Sequence, residues 1–365
     1  MALRWLEGFD GISTTTAVAS EAEVKLWQSN FYPHGTGDGQ AHAGRLGGGA
    51  FSFGDNANAD NEWFDISIPN TATVIVGFAV KPGFYNSQAS SDILQFWDKE
   101  FNGASVEQFD LRQSLGGSTL YVTRNSTVVG DIAFGVIPMD RWSYIEIKLL
   151  IDDTVGTVEV RVNGKAVISE TNVDTKNSSG AAQCNMVRFR GVDGAGAAEN
   201  QQWLLDDIYV CDNTGSVNND FLGPIKVETI FPSAAGDDTD FTPSAGSNWE
   251  NVDDASHWDG DTTYNEAGTT GNLDLHNCED LTVITGSGTI HGLRLDTYCR
   301  VTSAAVKTVI PTVKSGVTEG AVSGVGIAAE NLFVGVPAIF EQDPAAAGAW
   351  TTTTINSMQI GYEVG

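Results

Sequence analysis

Most side chains able to do chemistry in this chain are carboxylates: 47 Asp and Glu stand against 19 Lys and Arg in 365 residues. Cleaving a glycosidic bond takes two carboxyl groups flanking that bond, and on a strand acids at alternate positions share a face. The nearest string to an E-x-D-x-x-E strand is Glu341-Gln342-Asp343-Pro344-Ala345-Ala346. It lacks the last acid and carries a proline, so it reads as a loop. The adjacent pairs Asp152-Asp153, Asp206-Asp207, Asp237-Asp238 and Asp253-Asp254 would point to opposite faces in a strand, and in turns they cap backbone N–H groups. No catalytic residue is expected from these spacings.

Other chemistries are also thinly supported. There is no G-x-S-x-G pentad and no phosphate-cradling glycine loop, and Gly35 to Gln40 departs from the dinucleotide fingerprint at its last position. The five histidines form no H-E-x-x-H pair. Cys184, Cys211, Cys278 and Cys299 show no C-x-x-C spacing and read as free, mostly buried thiols. The oxygen-rich loop from Asp253 to Asp261 could offer hard ligands, so Asp253, Asp259 and Asp261 are the candidate metal residues and Ca2+ the candidate ion. Trp249 and Trp258, with His257 beside the latter, lie in or next to the same loop. Aromatic rings bordered by Asp and Asn suit sugar rings, which makes these three the candidate glycan-binding residues.

The elements that must position such groups are strands. Val74, Val76, Phe78 and Val80 alternate at period two, as do Ile145, Ile147, Leu149 and Ile151. Val158, Val160 and Val162 run into Asn163-Gly164, a dipeptide made for a tight hairpin turn. Gly, Asn, Asp, Ser and Thr punctuate short apolar runs throughout, and no helical period exceeds two turns. The expected fold is all-β, two jelly-roll-type β-sandwiches in tandem. The texture changes between Ser216 and Pro224, where a new alternation is expected from Ile225 to Phe231. That places domain one at 1–222 and domain two at 223–365.

The net charge of −28 repels phosphate backbones and anionic headgroups, so neither nucleic-acid binding nor membrane insertion is expected. No run approaches the ~18 apolar residues of a membrane span, and the N-terminus has no secretory pattern. The acids read as a solubilising coat on outward strand faces and turns.

Three segments resemble the concanavalin A-like or laminin-G-like jelly roll: Arg141 to Glu146 with its W-x-x-ϕ-x-ϕ strand, Val158 to Gly164 ending in Asn-Gly, and Leu204 to Val210 with its paired aspartates. Trp5 to Asp10 and Gly44 to Gly48 suit the first strands of that family. Beyond residue 222, Phe241 to Asp253, Asp259 to Tyr264, Asp343-Pro344, Trp350-Thr351, Ile355-Asn356 and Gly361 look like the carboxy-terminal halves of virion structural proteins of tailed bacteriophages. The resemblance implies a non-enzymatic virion component, of the tail and its receptor contact or of the capsid surface, made in the bacterial cytoplasm. It also implies a homo-oligomer, with a trimer favoured, that contacts other virion proteins and a host surface polysaccharide. The catalytic acids of the glucanase branch are missing, so hydrolysis does not carry over. The alternative is a polysaccharide-degrading hydrolase or lyase of concanavalin A-like fold.

Overall fold

The computed structural model describes residues 1–12, 39–53, 63–83, 91–99, 105–114, 119–133, 135–191, 203–254, 259–281, 288–303, 305–328 and 330–365. Two compact units divide the chain, Met1–Val227 and Glu228–Gly365, and both are built from strands.

In the first unit the strands are β1 (Leu3–Glu7), β2 (Gly39–Ala43), β3 (Gly49–Phe53), β4 (Trp63–Thr71), β5 (Thr73–Pro82), β6 (Ser91–Asp98) and β7 (Val106–Gln113). They continue with β8 (Thr119–Arg124), β9 (Thr127–Ala133), β10 (Ser143–Leu150), β11 (Gly156–Val162), β12 (Lys165–Val173), β13 (Cys184–Arg190) and β14 (Trp203–Asp212). Among the described residues one sheet has the order β12-β11-β10-β5-β14-β3-β2 with β1 also on β14, and the other has the order β4-β13-β6-β7-β8-β9. Every pairing in both sheets is antiparallel.

Period-two alternation explains the sandwich. Val74, Val76 and Phe78 on β5 stand opposite Leu149, Ile147 and Ile145 on β10, and all six are fully buried. From the six-stranded sheet Phe64 reaches Phe51 at 5.6 Å between centroids, and Phe189 reaches Phe78 at 5.3 Å, both edge-on. These contacts hold the two sheets face to face, in the geometry aromatic pairs prefer. Asn163 and Gly164 take the positive φ of the expected hairpin turn, 51° and 77°.

Two expectations need correction. Ile225 to Phe231 is not a strand. Instead the chain from Leu222 to Val227 lies as a strap on the outer face of the larger sheet. There Gly223 N–H donates to Glu146 Oε1 (2.8 Å), Leu222 N–H to the Tyr209 hydroxyl (3.2 Å) and Val227 N–H to Asp207 Oδ1 (2.7 Å). The Arg45 guanidinium donates to Ile225 O at 2.5 Å, and its Nε sits 3.0 Å from Asp207 Oδ2. These bonds carry the first unit on to Val227 in place of residue 222.

The Asp206-Asp207 pair also departs from simple alternation, because β14 shifts register there and Asp207 adopts φ 51°. Both carboxyls are buried and serve the backbone, Asp206 accepting from Arg45 N–H at 2.6 Å. Burial, with the charge of Asp207 adding to it, pushes Asp206 up to about 8. Burial also raises Asp207, to about 6.

The second unit contains β15 (Pro232–Thr239), β16 (Thr242–Pro243), β17 (Asn265–Glu266), β18 (Leu273–Cys278), β19 (Leu293–Cys299), β20 (Lys307–Ser315), β21 (Thr318–Ala321), β22 (Val325–Ile327), β23 (Val334–Phe340) and β24 (Gln359–Val364). Its main sheet has the order β15-β18-β24-β20-β21 with β22 on β20, and β19 pairs with β23. Val313 of the sheet joins Ala338, Phe340, Trp350, Ile355 and Met358 in the apolar core, with Leu293 and Leu295 of β19 packed against it. The predicted strand from Ile355 starts later, at Gln359, because Thr351 caps a one-turn helix over Thr352–Ile355.

Candidate active site

The six-stranded sheet turns its phenylalanines inward, and its other face carries polar side chains and two tryptophans. Strict alternation would put residues three apart on opposite faces. Two β-bulges on neighbouring strands break that rule.

On β6, Asp92 pairs with Arg112 and Leu94 with Leu111, so Ile93 is the extra residue. On β7, Phe109 pairs with Phe96 and Glu107 with Trp97, so Gln108 is the extra residue. Each bulge moves an acid onto the outward face, and bulges commonly re-aim side chains in this way. As a result Asp92 joins Gln95, and Glu107 joins Asp110.

The four side chains form one network with Arg112. Gln95 Nε2 donates to Asp92 Oδ2 at 3.0 Å and to Glu107 Oε2 at 2.7 Å. Because both oxygens touch one nitrogen, the two carboxyls lie within about 6 Å of each other. Trp97 Nε1–H donates to Gln95 Oε1 at 3.2 Å, which fixes the amide with its nitrogen toward the acids. Arg112 Nε sits 2.6 Å from Asp92 Oδ1 and its Nη1 3.6 Å from Asp110 Oδ2. The Thr123 hydroxyl of β8 donates to Asp110 Oδ1.

The Gln108 bulge is itself clasped by the turn after β12. Gln108 Oε1 accepts from Asn177 N–H (2.9 Å), its Nε2 donates to Ala181 O (2.8 Å), and Asn177 Nδ2 donates to Glu107 O (2.9 Å). A Cβ at Gly180 would run into the Gln108 amide, so a larger residue there would press on the clasp.

Burial raises the Glu107 carboxyl to about 7, with the charges of Asp110 and Asp92 adding to it and Arg112 and Arg190 opposing. Asp110 rises to about 6, again chiefly by burial. Glu107 remains half-exposed whereas Asp110 is buried. Glu107 is thus a carboxyl group that can hold or release a proton near neutral pH, as general acid–base catalysis requires.

Beside this network the Arg188 guanidinium of β13 lies between Trp63 and Trp97, 4.5 and 5.1 Å from their ring centroids. It also grips Asp65 with two bonds, 2.6 and 2.9 Å, the fork geometry that suits a carboxylate. Lys99 Nζ reaches the same carboxylate at 3.5 Å. The arginine fixes the spacing of two half-exposed indoles.

The residues singled out in the sequence lie in the second unit. Trp249 sits half-buried in a 3-10 turn over Asn248–Asn251, and Asp253 follows it, also half-buried. Asp259 closes its own turn, accepting from Thr263 N–H at 3.1 Å and from the Thr263 hydroxyl at 2.7 Å. Asp261 pairs with Arg300 at 2.5 Å. His257 and Trp258 lie outside the described residues. Among the described residues no group of three or more His, Cys, Asp or Glu is placed to hold a metal ion.

No protein-family model matches the chain, and no curated protein matches it. Several solved structures are similar to it. The marine PL-14 alginate lyase from Aplysia kurodai is 13% identical, covering 57% of this chain and 99% of its own, with a TM-score of 0.41. The alginate lyase Aly36B is 12% identical over 56% of this chain and 95% of its own, with a TM-score of 0.38. The cellulose induced protein Cip1 is 17% identical over 48% and 86%, with a TM-score of 0.34.

The expectation of a non-enzymatic protein is corrected here. Alginate lyases stand among the structural neighbours. The first unit carries an acid cluster that no contiguous motif announces.

Proposed function

We propose that this chain is a carbohydrate-active protein that binds polysaccharide across the outward face of the six-stranded sheet and cleaves it with Glu107 as the proton-transferring group. The observation that carries the reading is the doubly bulged cluster of Asp92, Gln95, Glu107, Asp110 and Arg112. It gathers two carboxyls around one amide and leaves one of them titrating near neutrality. Trp63 and Trp97 supply the apolar ring surface on which sugar rings stack. A virion setting, as the sequence resemblance implies, would set this activity against a host surface polysaccharide.

The test is a digestion panel of soluble polysaccharides, read by newly formed reducing ends and by the ultraviolet absorbance of unsaturated ends. The expected result is chain shortening of at least one polymer, lost in the Glu107→Gln variant. Unchanged cleavage by that variant would move the chemistry elsewhere.

A further inference from the structure

The basic side chains of the same face define what kind of polysaccharide it can hold. Arg188 is engaged by Asp65 through both of its nitrogens, and Lys99 leans on the same carboxylate. Arg112 is held by Asp92 at 2.6 Å, with Asp110 at 3.6 Å. Arg190 lies near enough to Glu107 for its charge to be felt there. At the end of β8 Arg124 pairs with Asp174 at 3.3 Å. Outside the described residues the sequence contains a single basic residue, Lys25, and several acids, among them Asp55, Asp60, Glu62 and Glu100.

A uronate-rich chain presents one carboxylate per sugar. To bind here it would have to displace Asp65 from a fork already satisfied at both prongs, or Asp92 from Arg112, while approaching a protein of net charge −28. Both steps are unfavourable, since the buried Asp65 carboxylate or the half-buried Asp92 carboxylate would lose its partner. An uncharged sugar needs neither step. Its ring faces suit Trp63 and Trp97, and its hydroxyls can hydrogen-bond to the carboxyls of Asp92 and Glu107.

We propose that this face takes a neutral polysaccharide and not a uronate, because Arg112, Arg188 and Lys99 on it are already matched by carboxylates of this chain. The inference rests on the reading of this face as the glycan site, and it also selects the reaction. Elimination draws on the acidity that a uronate carboxylate lends to its neighbouring C–H bond, and a neutral sugar offers none. Cleavage is then hydrolysis. Glu107 gives its proton to the glycosidic oxygen as the bond from that oxygen to the anomeric carbon breaks. The Asp92 carboxylate, within about 6 Å of Glu107, closes on the anomeric carbon as that bond breaks, and a water molecule then adds there, giving its proton to the Glu107 carboxylate as the bond to Asp92 breaks.

The experiment is gel retardation of the whole chain at low ionic strength by four soluble polymers. Mixed-linkage β-glucan and galactomannan are neutral, and alginate and polygalacturonate are anionic. Retardation by a neutral polymer about tenfold stronger than by either anionic one is expected. Asp65→Asn frees the charge of Arg188 and Lys99, and Asp92→Asn that of Arg112. Whichever of these variants folds should gain at least about threefold in salt-sensitive affinity for alginate. Retardation by the anionic polymers alone overturns this inference and leaves the glycan site standing. Retardation by none of the four overturns both.

Discussion

Gln95 can serve two carboxylates at once because the Trp97 indole N–H holds its amide oxygen. Replacing Trp97 with Phe keeps most of the ring and removes that donor. Turnover should fall about tenfold with folding stability nearly unchanged, since a single partly exposed hydrogen bond contributes only about 1 kcal/mol. Steady-state kinetics beside thermal melts separates the two effects. Glu107 adds a pH dependence whose sign is fixed. Its folded pKa, about 7, lies above the ordinary value of 4.5, so the folded state binds the proton more tightly than the unfolded chain does. The associated stability is full below pH 4.5 and is lost as pH rises through 7. Asp110, raised to about 6, acts in the same direction. Melting temperatures of the wild type should therefore decline between pH 5 and 8 more steeply than those of Glu107→Gln.

At the scale of elements, the site is a product of two irregularities in otherwise regular strands. Alternation made the core legible: Val74, Val76, Phe78, Ile145, Ile147 and Leu149 are buried where the period puts them. The same rule hid the acid cluster, because Asp92 and Gln95, like Glu107 and Asp110, are three apart and reach one face only through the Ile93 and Gln108 bulges. Bulges have no short sequence signature. The nearest hint is a buried-strand glutamine followed much later by an Asn-Ser-Ser-Gly turn that clasps it. Gln108→Ala removes the clasp and leaves the Asn177 N–H and Ala181 carbonyl without their partner. A loss of about 1 to 3 kcal/mol is expected by chemical denaturation. Turnover should fall further, by about a hundredfold, because small displacements of a reacting group are costly. Gly180→Ala should reproduce both effects by steric pressure on the same amide.

For the molecule as a whole, the two units meet the expectation of an all-β chain, but the first unit ends later than composition suggests. Ser216 to Pro224 marks a change in texture by residue type, whereas buried Glu146 and Asp207 bind the strap that follows. A linear reading could not see partners 77 and 20 residues away. A chain ending at Val227 should melt several degrees above one ending at Leu222, which leaves those buried acids and Arg45 without the strap. Differential scanning calorimetry of the two truncated chains decides this. The −28 charge, first read as a solubilising coat, also bears on function, since the acids on the six-stranded sheet hold its arginines and so set its ligand. The most direct measurement of the central claim is reducing-end release from a neutral polysaccharide by the wild type and by Glu107→Gln, with binding measured in parallel. The variant should bind within a few-fold of wild type and lose about a hundredfold or more in turnover. Cleavage by Glu107→Gln at the wild-type rate would contradict it.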